Sequence, residues 1–383
     1  MIYYEQINAK PVPTGLSKVL HLHWPLMLVV VAVCCFGFVM LYSVAGGSID
    51  PWARQQMVRF GIGLTGLLIV AMTPVTVWRA LTPAIYILAL LLLVAVEFIG
   101  EVGMGAQRWI DLGFMRLQPS EVMKVALVML LAQYYAWLDI EKVSRPLWVL
   151  PPLLLTALPV GLVLTQPDLG TAILLAAGGA VVMFLAGVSL WYWGTAIAGA
   201  VGLISAVFLS FGTSWQVLQD YQYRRLWTFL NPEAEPLGAG YHITQSKIAL
   251  GSGGISGRGL TEGTQSRLDF LPEKHTDFIF TTLAEELGFL GGLGLLILYG
   301  LIIVFCMSAA FQNRDRFSAL MIAGLTATFS FYFVVNIAMV MGLAPVVGVP
   351  LPLISYGGTA MLVLLGAFGL IQSAHIHRPR GAG

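Results

Sequence analysis

The sequence predicts an all-α integral membrane protein with about ten transmembrane helices and one large extracytoplasmic loop. Hydrophobic residues make up 58% of the 383 residues and charged residues only 10%, and the mean hydropathy is +0.83. Apolar runs long enough to cross about 30 Å of hydrocarbon recur along the chain. Soluble domains do not have this composition. We see no strand pattern, and therefore no Rossmann unit.

The apolar runs divide the chain into five parts. A cytoplasmic N-terminal segment covers residues 1–23, helices one to seven cover 24–211, the extracytoplasmic loop covers 212–287, helices eight to ten cover 288–374, and a cytoplasmic tail covers 375–383. The first run has no convincing small-residue cleavage site, so we expect it to remain as a helix. The predicted spans are 24–45, 56–75, 80–99, 119–138, 146–165, 169–187, 190–211, 288–310, 318–341 and 354–374.

The distribution of Lys and Arg predicts the orientation. If the N-terminus lies inside, the short outside loops hold only Arg54, Arg108 and Arg116. The inside segments are richer in basic residues, which favours a cytoplasmic location for both termini. These inside residues are Lys10, Lys18, Arg79, Lys142, Arg145, Arg314, Arg316, Arg378 and Arg380.

Composition also bears on partners and cofactors. The formal net charge of +1 comes with no basic patch interleaved with aromatic residues, so we predict no nucleic-acid partner. The three cysteines lie inside apolar runs and match neither a disulfide framework nor a zinc site. Nucleotide-binding glycine motifs are not evident.

The stretch from Gly251 to Gly288 is polar and Gly-rich, at the end of the longest interval between apolar runs. At its centre Asp277 directly precedes the apolar Phe278-Ile279-Phe280. Desolvating a carboxylate is costly, so a site that keeps one at such an edge is a candidate for chemistry. We therefore predict that Asp277 is catalytic. His275 lacks neighbouring ligands and is expected to have a structural or hydrogen-bonding role.

Glu121 and Lys124 share a helix face at the start of the fourth span, three residues apart. They form either a local ion pair that helps the span insert or part of a binding cavity, because charged residues inside membranes usually face a cavity or a partner. Lys124 is the candidate for contacting a phosphate or a carboxylate.

Other candidates have competing interpretations. Arg108 and Trp109 precede the fourth span and are either site residues or a solvated arginine and an interfacial anchor. Arg224 and Arg225 either bind an anionic headgroup or only decorate the loop. Asp168 is expected to cap the sixth span.

The ninth span and the stretch that follows it also contain polar or irregular features. Asn336 is expected to hydrogen-bond between helices. Residues 345–359 are broken by proline and glycine at membrane depth, which predicts a cavity wall. The run Phe278 to Glu286 is expected to form a short, re-entrant helix before the eighth span.

Several long motifs together resemble the SEDS family, and within it the branch that acts in cell elongation. The motifs are GAQRWIDLG, QPSEVMKVA, QPDLGTA, GTQSRLDFLPEKHTDFIFTTLAEELG and PLPLISYGGTA. The resemblance covers essentially every span. It implies a peptidoglycan glycosyltransferase in the bacterial inner membrane that uses lipid II, with Asp277 as its essential aspartate.

The resemblance also places residues and partners. It sets Lys247 and Asp269, together with Arg108, Trp109, Glu121 and Lys124, around the cavity or its external loop. It implies a class B penicillin-binding protein as obligate partner, alongside other membrane proteins of the elongation complex. A divalent cation, Mg or Mn, is a candidate for neutralising the leaving pyrophosphate.

Two other classes of function remain open from the residues alone. About ten spans with broken helices also suit a transporter, here a lipid II flippase. The chain could alternatively be a non-catalytic scaffold for the penicillin-binding protein.

Overall fold

The computed structural model describes residues 15, 17–103, 106–113, 115–213, 215–216, 223, 227, 230, 239–264 and 274–378. This part of the chain contains ten long helices, two short α-helices, the 3-10 helix Ile140–Lys142 and three short strands. The long helices are α2 Trp24–Val44, α3 Trp52–Met72, α4 Val75–Ile99, α5 Pro119–Trp137, α6 Pro146–Thr165, α7 Leu169–Leu185, α8 Leu190–Ser210, α10 Ile279–Phe311, α11 Arg316–Val340 and α12 Gly358–Ile376. The short helices are α1 Ser17–Leu20 and α9 Ala239–Ser252.

Eight of the described helices are long and apolar enough to cross a membrane. The other two long helices are α5, which carries the Glu121 and Lys124 charges, and α7, which has only 17 residues. Both pack inside the bundle, where α5 contacts α4, α7 and α11. The structure therefore confirms the predicted multi-pass, mostly helical membrane fold.

Burial divides the helices into a centre and a periphery. The most apolar stretches of α11 and α12 are 61% and 72% buried inside the protein, whereas that of α8 is only 6% buried. Along α8 only Val207 and Ser210 are buried. An apolar helix that is exposed on nearly all sides is suited to contact lipid, so α8 lies at the edge of the bundle.

The structure also contains a small sheet, although the sequence shows no strand pattern. Glu101–Gly103 (β1), Ala106–Asp111 (β2) and Arg116–Leu117 (β3) form an antiparallel sheet in the order β1-β2-β3. The register pairs Glu101 with Trp109 and Ile110 with Leu117. These strands are too short to show a period-two pattern in the sequence, and pairing outside the helices satisfies their backbone groups.

Helix α10 begins at Ile279, before the predicted eighth span, and continues to Phe311 through a kink at Gly288 (φ 66°, ψ −161°). Residues 279–286 are all buried, which includes Glu285 and Glu286. The predicted short helix therefore exists, and it joins the eighth span as the first part of one kinked helix. The two glutamates hid this continuity because they interrupt the apolar run.

A Gly-rich loop, residues 253–264, packs directly against the backbone of the α10 kink. Gly259 N donates to Glu286 O at 2.9 Å, and Phe289 N donates to Gly254 O at 2.9 Å. A Cβ on Gly257 would lie 2.1 Å from Glu286 O. The close approach requires glycine, and it fixes the direction in which α10 leaves the loop.

Gly288→Ala is expected to destabilise the protein by about 1–3 kcal/mol or more, because only glycine readily adopts this backbone conformation. The added Cβ would also lie 2.3 Å from Gly257 N. Thermal unfolding in detergent measures the effect. Gly294→Ala is the matched control on the same helix, since a Cβ there meets nothing within 4 Å. Equal stability of the two variants would contradict the proposed packing.

Candidate functional site

Asp277 lies in a turn, residues 274–278, that leads directly into α10. Three successive carbonyls of this turn accept hydrogen bonds: His275 O from Tyr356 N at 2.9 Å, Thr276 O from Ser355 Oγ at 2.6 Å, and Asp277 O from Asn336 Nδ2 at 2.8 Å. The Asp277 residue is half-buried. Hydrogen bonds therefore hold the backbone of the turn at each of residues 275–277, the last of which is the predicted catalytic aspartate.

The partner of this turn is the segment 341–357, between α11 and α12, which contains no helix or strand. Residues 351–355 are buried. Ser355 Oγ also accepts from Leu351 N at 2.8 Å, and Gln56 Nε2 donates to Ser355 O at 3.0 Å. Such backbone is tolerated at membrane depth when protein surrounds it and satisfies its polar groups.

Gly348 brings the 341–357 segment against the Asp277 carboxylate. Its φ is +71°, and a Cβ built on it would lie 3.7 Å from Asp277 Oδ2. Nearby, Tyr332 and Ser355 help line a cavity of about 10 Å³ beneath the segment. That volume is about enough for one water molecule.

Aromatic contacts surround His275. Its ring stacks on Trp52, with centroids 4.6 Å apart and an angle of 14° between the planes. The Tyr356 ring lies 5.9 Å away on a tilt, and the Arg59 guanidinium sits 4.6 Å over that tyrosine ring. These contacts tie the 274–278 turn to the start of α3 and give His275 the structural role that was expected.

Glu121 and Lys124 form a buried ion pair with Lys124 Nζ 2.8 Å from Glu121 Oε1. Tyr332 Oη donates to Glu121 Oε2 at 2.7 Å, and Lys124 Nζ lies 4.2 Å over the Tyr332 ring. Glu121 is only 5% exposed and Lys124 only 4%. Glu121 and Lys124 therefore share a helix face, as predicted. The pair is buried together with Tyr332, which also lines the cavity at the 341–357 segment.

Arg108 and Asp168 form a second pair, with Arg108 Nε 3.4 Å from Asp168 Oδ2. Arg108 Nη2 also donates to Pro167 O at 2.9 Å. Asp168 caps α7, as predicted, by accepting from Thr171 N at 3.1 Å. A Cβ on Gly170 would lie 2.6 Å from Val347 O, so the start of α7 packs on the same segment that adjoins Asp277.

The remaining predicted site residues are not gathered at this point. Trp109 is half-buried in β2, paired across the sheet with Glu101. Lys247 is exposed on α9, and its side chain lies against Gly342, where a Cβ would be 2.3 Å from Lys247 Cε. Arg224, Arg225 and Asp269 lie outside the described residues.

Glu286 takes part in a separate buried cluster. Ser43 Oγ donates to Glu286 Oε2, and Thr261 N donates to Ser43 Oγ at 2.8 Å. Thr264 Oγ1 donates to the neighbouring Glu285 at 3.0 Å. These bonds attach the Gly-rich loop to α2 and α10, so the two glutamates have structural partners.

The described residues do not assemble a ready-made metal centre, since none of them form a group of three or more His, Cys, Asp or Glu side chains. A divalent cation thus stays a prediction. The sequence also did not reveal that Tyr332 and Gln56 would join the site. Tyr332 is a polar group in an otherwise apolar run, which was the available signal. Gln56 has polar neighbours, Gln55 and Arg59 among them, so it did not stand out.

Comparisons with known proteins agree with this architecture. The FtsW/RodA/SpoVE family model, described as cell cycle protein, matches residues 24–380. Peptidoglycan glycosyltransferase MrdB of Escherichia coli is 42% identical over 366 residues, covering 94% of each chain. Peptidoglycan glycosyltransferase RodA of Treponema pallidum is 32% identical and covers 91% of this chain and 96% of the relative.

Solved structures match over nearly the whole chain. A chain from the structure "Structural coordination of polymerization and crosslinking by a peptidoglycan synthase complex" has a TM-score of 0.79 at 32% identity, covering 92% of this chain and 97% of that chain. The rod shape determining protein RodA of Thermus thermophilus has a TM-score of 0.69 at 30% identity, covering 93% and 97%. This chain is a member of the FtsW/RodA/SpoVE family, the SEDS family that its motifs resemble.

Proposed function

We propose that this protein is a peptidoglycan glycosyltransferase that polymerises lipid II into glycan strands during cell elongation, with Asp277 as general base. The curated relatives in E. coli and T. pallidum carry the name of this activity. The assignment of Asp277 as the base rests on the hydrogen bonds that hold its turn in place. Its backbone is bound on three successive carbonyls, and its carboxylate faces Gly348 at the edge of the buried segment.

In the proposed reaction, the 4-hydroxyl of an acceptor sugar attacks the anomeric carbon of a lipid-linked donor. The new glycosidic bond forms as the bond from that carbon to the pyrophosphate oxygen breaks. Asp277 takes the hydroxyl proton, and polyprenyl pyrophosphate leaves with the electron pair. Pyrophosphate needs no proton in order to leave, so one carboxylate suffices where glycosidases use two.

The charge that grows on the pyrophosphate needs a cation, and Lys124 and Arg108 are the candidates among the described residues. Both are already paired, Lys124 with Glu121 and Arg108 with Asp168. An arriving pyrophosphate would therefore compete with a carboxylate for each cation. Arg224, Arg225, Lys247 and Asp269 remain proposed contacts of the substrate in the loop and around it.

The lipid tail must remain in the bilayer while the headgroup reaches Asp277. Helix α8 supports a lateral entry, because it is exposed over nearly its full length. It packs on the core through Tyr192 and Trp193 near its N-terminal end. A gap beside a loosely packed helix admits a lipid at lower cost than a gap between well-packed helices.

For partners and location, the proposal follows the family. The solved relative comes from a peptidoglycan synthase complex that coordinates polymerization and crosslinking. We assign this chain a class B penicillin-binding protein as the crosslinking partner, with other elongation-complex membrane proteins. The location is the bacterial inner membrane, with both termini cytoplasmic by the positive-inside rule. Neither the flippase nor the scaffold alternative is favoured by the named relatives.

Asp277→Asn is expected to reduce glycan polymerisation by about 10²–10⁴-fold, because the amide cannot accept the hydroxyl proton. Purified protein with its partner and lipid II would be assayed by gel separation of the glycan products. Membrane insertion and thermal stability should be unchanged. Full activity in this variant would reject Asp277 as the base, and headgroup translocation without polymer by the wild type would favour a flippase.

Lys124→Ala is expected to lower turnover, whereas Arg378→Ala is expected to leave it unchanged. Lys124→Ala should also destabilise the protein by about 3–5 kcal/mol, because Glu121 would remain buried without its cation. The double variant Glu121→Gln with Lys124→Met removes both charges and should recover much of this stability. Thermal unfolding and polymerisation are measured on all variants.

A double variant that is stable and fully active would show that the pair serves only folding. Loss of turnover in a stable double variant would support the proposed contact between Lys124 and the pyrophosphate.

A further inference from the structure

The Asn336 side chain joins the two irregular segments of the site. Its amide Nδ2 donates to Asp277 O at 2.8 Å and to Val349 O at 2.7 Å. Asn336 is fully buried, with 0% exposure. Both amide protons are therefore donated to backbone carbonyls that lie outside α11 and outside every other described helix. This differs from the helix-to-helix bond that the sequence predicted for it.

The position of Asn336 on α11 ties it to the second part of the site. Tyr332 lies one turn earlier on the same helix, and side chains four residues apart share a face. Tyr332 donates to Glu121, while Asn336 donates to Asp277 O. One face of α11 thus contacts both the buried ion pair and the turn that carries the carboxylate.

The second acceptor, Val349 O, directly follows Gly348, the residue that faces the Asp277 carboxylate. The one amide therefore joins Asp277 to the residue after Gly348, beside the bonds from Ser355 and Tyr356 that tie the rest of the turn to the same segment. A buried apolar side chain in its place would leave two carbonyls without donors in a region with little water. The turn would then keep its bonds at His275 and Thr276 but lose the one at Asp277 itself, so Asp277 could shift away from the 341–357 segment.

We propose that Asn336 is a positioning residue that holds Asp277 at its working distance from the 341–357 segment. It is closed off from solvent and does not touch the substrate. This proposal rests on the proposed role of Asp277. It predicts that loss of the amide lowers kcat and leaves KM nearly unchanged, since a misplaced base slows the chemical step without removing a binding contact.

The test compares Asn336→Leu with Asn313→Leu, a matched control elsewhere in the bundle. Asn313 is also buried, at 8% exposure, and its Nδ2 likewise donates to two carbonyls, Ala309 O at 3.2 Å and Ala374 O at 3.4 Å. Asn336→Asp is the second variant, since it keeps the shape of the side chain and removes the amide donors. Polymerisation kinetics are measured on the folded, monodisperse fraction of each.

Asn336→Leu and Asn336→Asp are expected to lower kcat by about 10-fold or more, with KM within about twofold, while Asn313→Leu keeps its kcat. Equal kcat losses in the Asn336 and Asn313 variants would overturn the proposal. Failure of both Asn336 variants to fold, while Asn313→Leu folds, would assign Asn336 to folding and would also overturn it.

A second readout does not depend on activity. Hydrogen–deuterium exchange of the peptides that cover 274–278 and 341–357 should be faster in the Asn336 variants than in Asn313→Leu, and unchanged exchange would overturn the positioning role. Wild-type protein and Asp277→Asn run in the same polymerisation assay. If the wild type makes no polymer, the proposed function fails, and the exchange result still decides whether Asn336 holds the turn.

Discussion

Backbone groups outside a helix must find hydrogen-bond partners within the protein when the surroundings are hydrocarbon, and this constraint shapes the candidate site. The 274–278 turn and the 341–357 segment meet it by bonding to each other. His275, Thr276 and Asp277 each offer a carbonyl, and Tyr356, Ser355 and Asn336 supply the donors. The same bonds that make irregular backbone tolerable there also hold the backbone that carries the Asp277 carboxylate.

Buried charge is handled in the same way, by local pairing. Glu121 is held by Lys124 and Tyr332, Asp168 by Arg108 and its own helix N-terminus, and Glu286 by Ser43. Removing one member leaves an uncompensated charge, which is more destabilising than removing both. Under the proposed function, a pyrophosphate that binds Lys124 or Arg108 would have to replace a carboxylate there, and substrate binding would then be coupled to rearrangement of these pairs.

Much of the helical bundle could be predicted from the sequence, because each span leaves a long apolar run. The Glu121–Lys124 pair followed from helical spacing, and the capping role of Asp168 from its place before α7. The small sheet of β1 to β3 could not be predicted, because strands of two to six residues leave no pattern.

The hydrogen bonds between distant parts of the chain also could not be predicted from the sequence. The helix at 278–286 was predicted, but its continuity with the eighth span was hidden, because the bonds from Ser43 and Thr264 that accommodate Glu286 and Glu285 come from elsewhere in the chain. Tyr332 and Asn336 are polar side chains in an apolar run, but their partners could not be predicted because tertiary packing supplies them.

The central claim is that a carboxylate fixed at the rim of the membrane-embedded bundle deprotonates a sugar hydroxyl. A structure with the acceptor and the lipid-linked donor bound tests it most directly, through the distance from the Asp277 carboxylate oxygens to the acceptor 4-hydroxyl. We expect about 2.6–3.2 Å, or one bridging water. An Asp277 side chain turned toward bulk water or lipid, with the hydroxyl beside another base, would contradict the account.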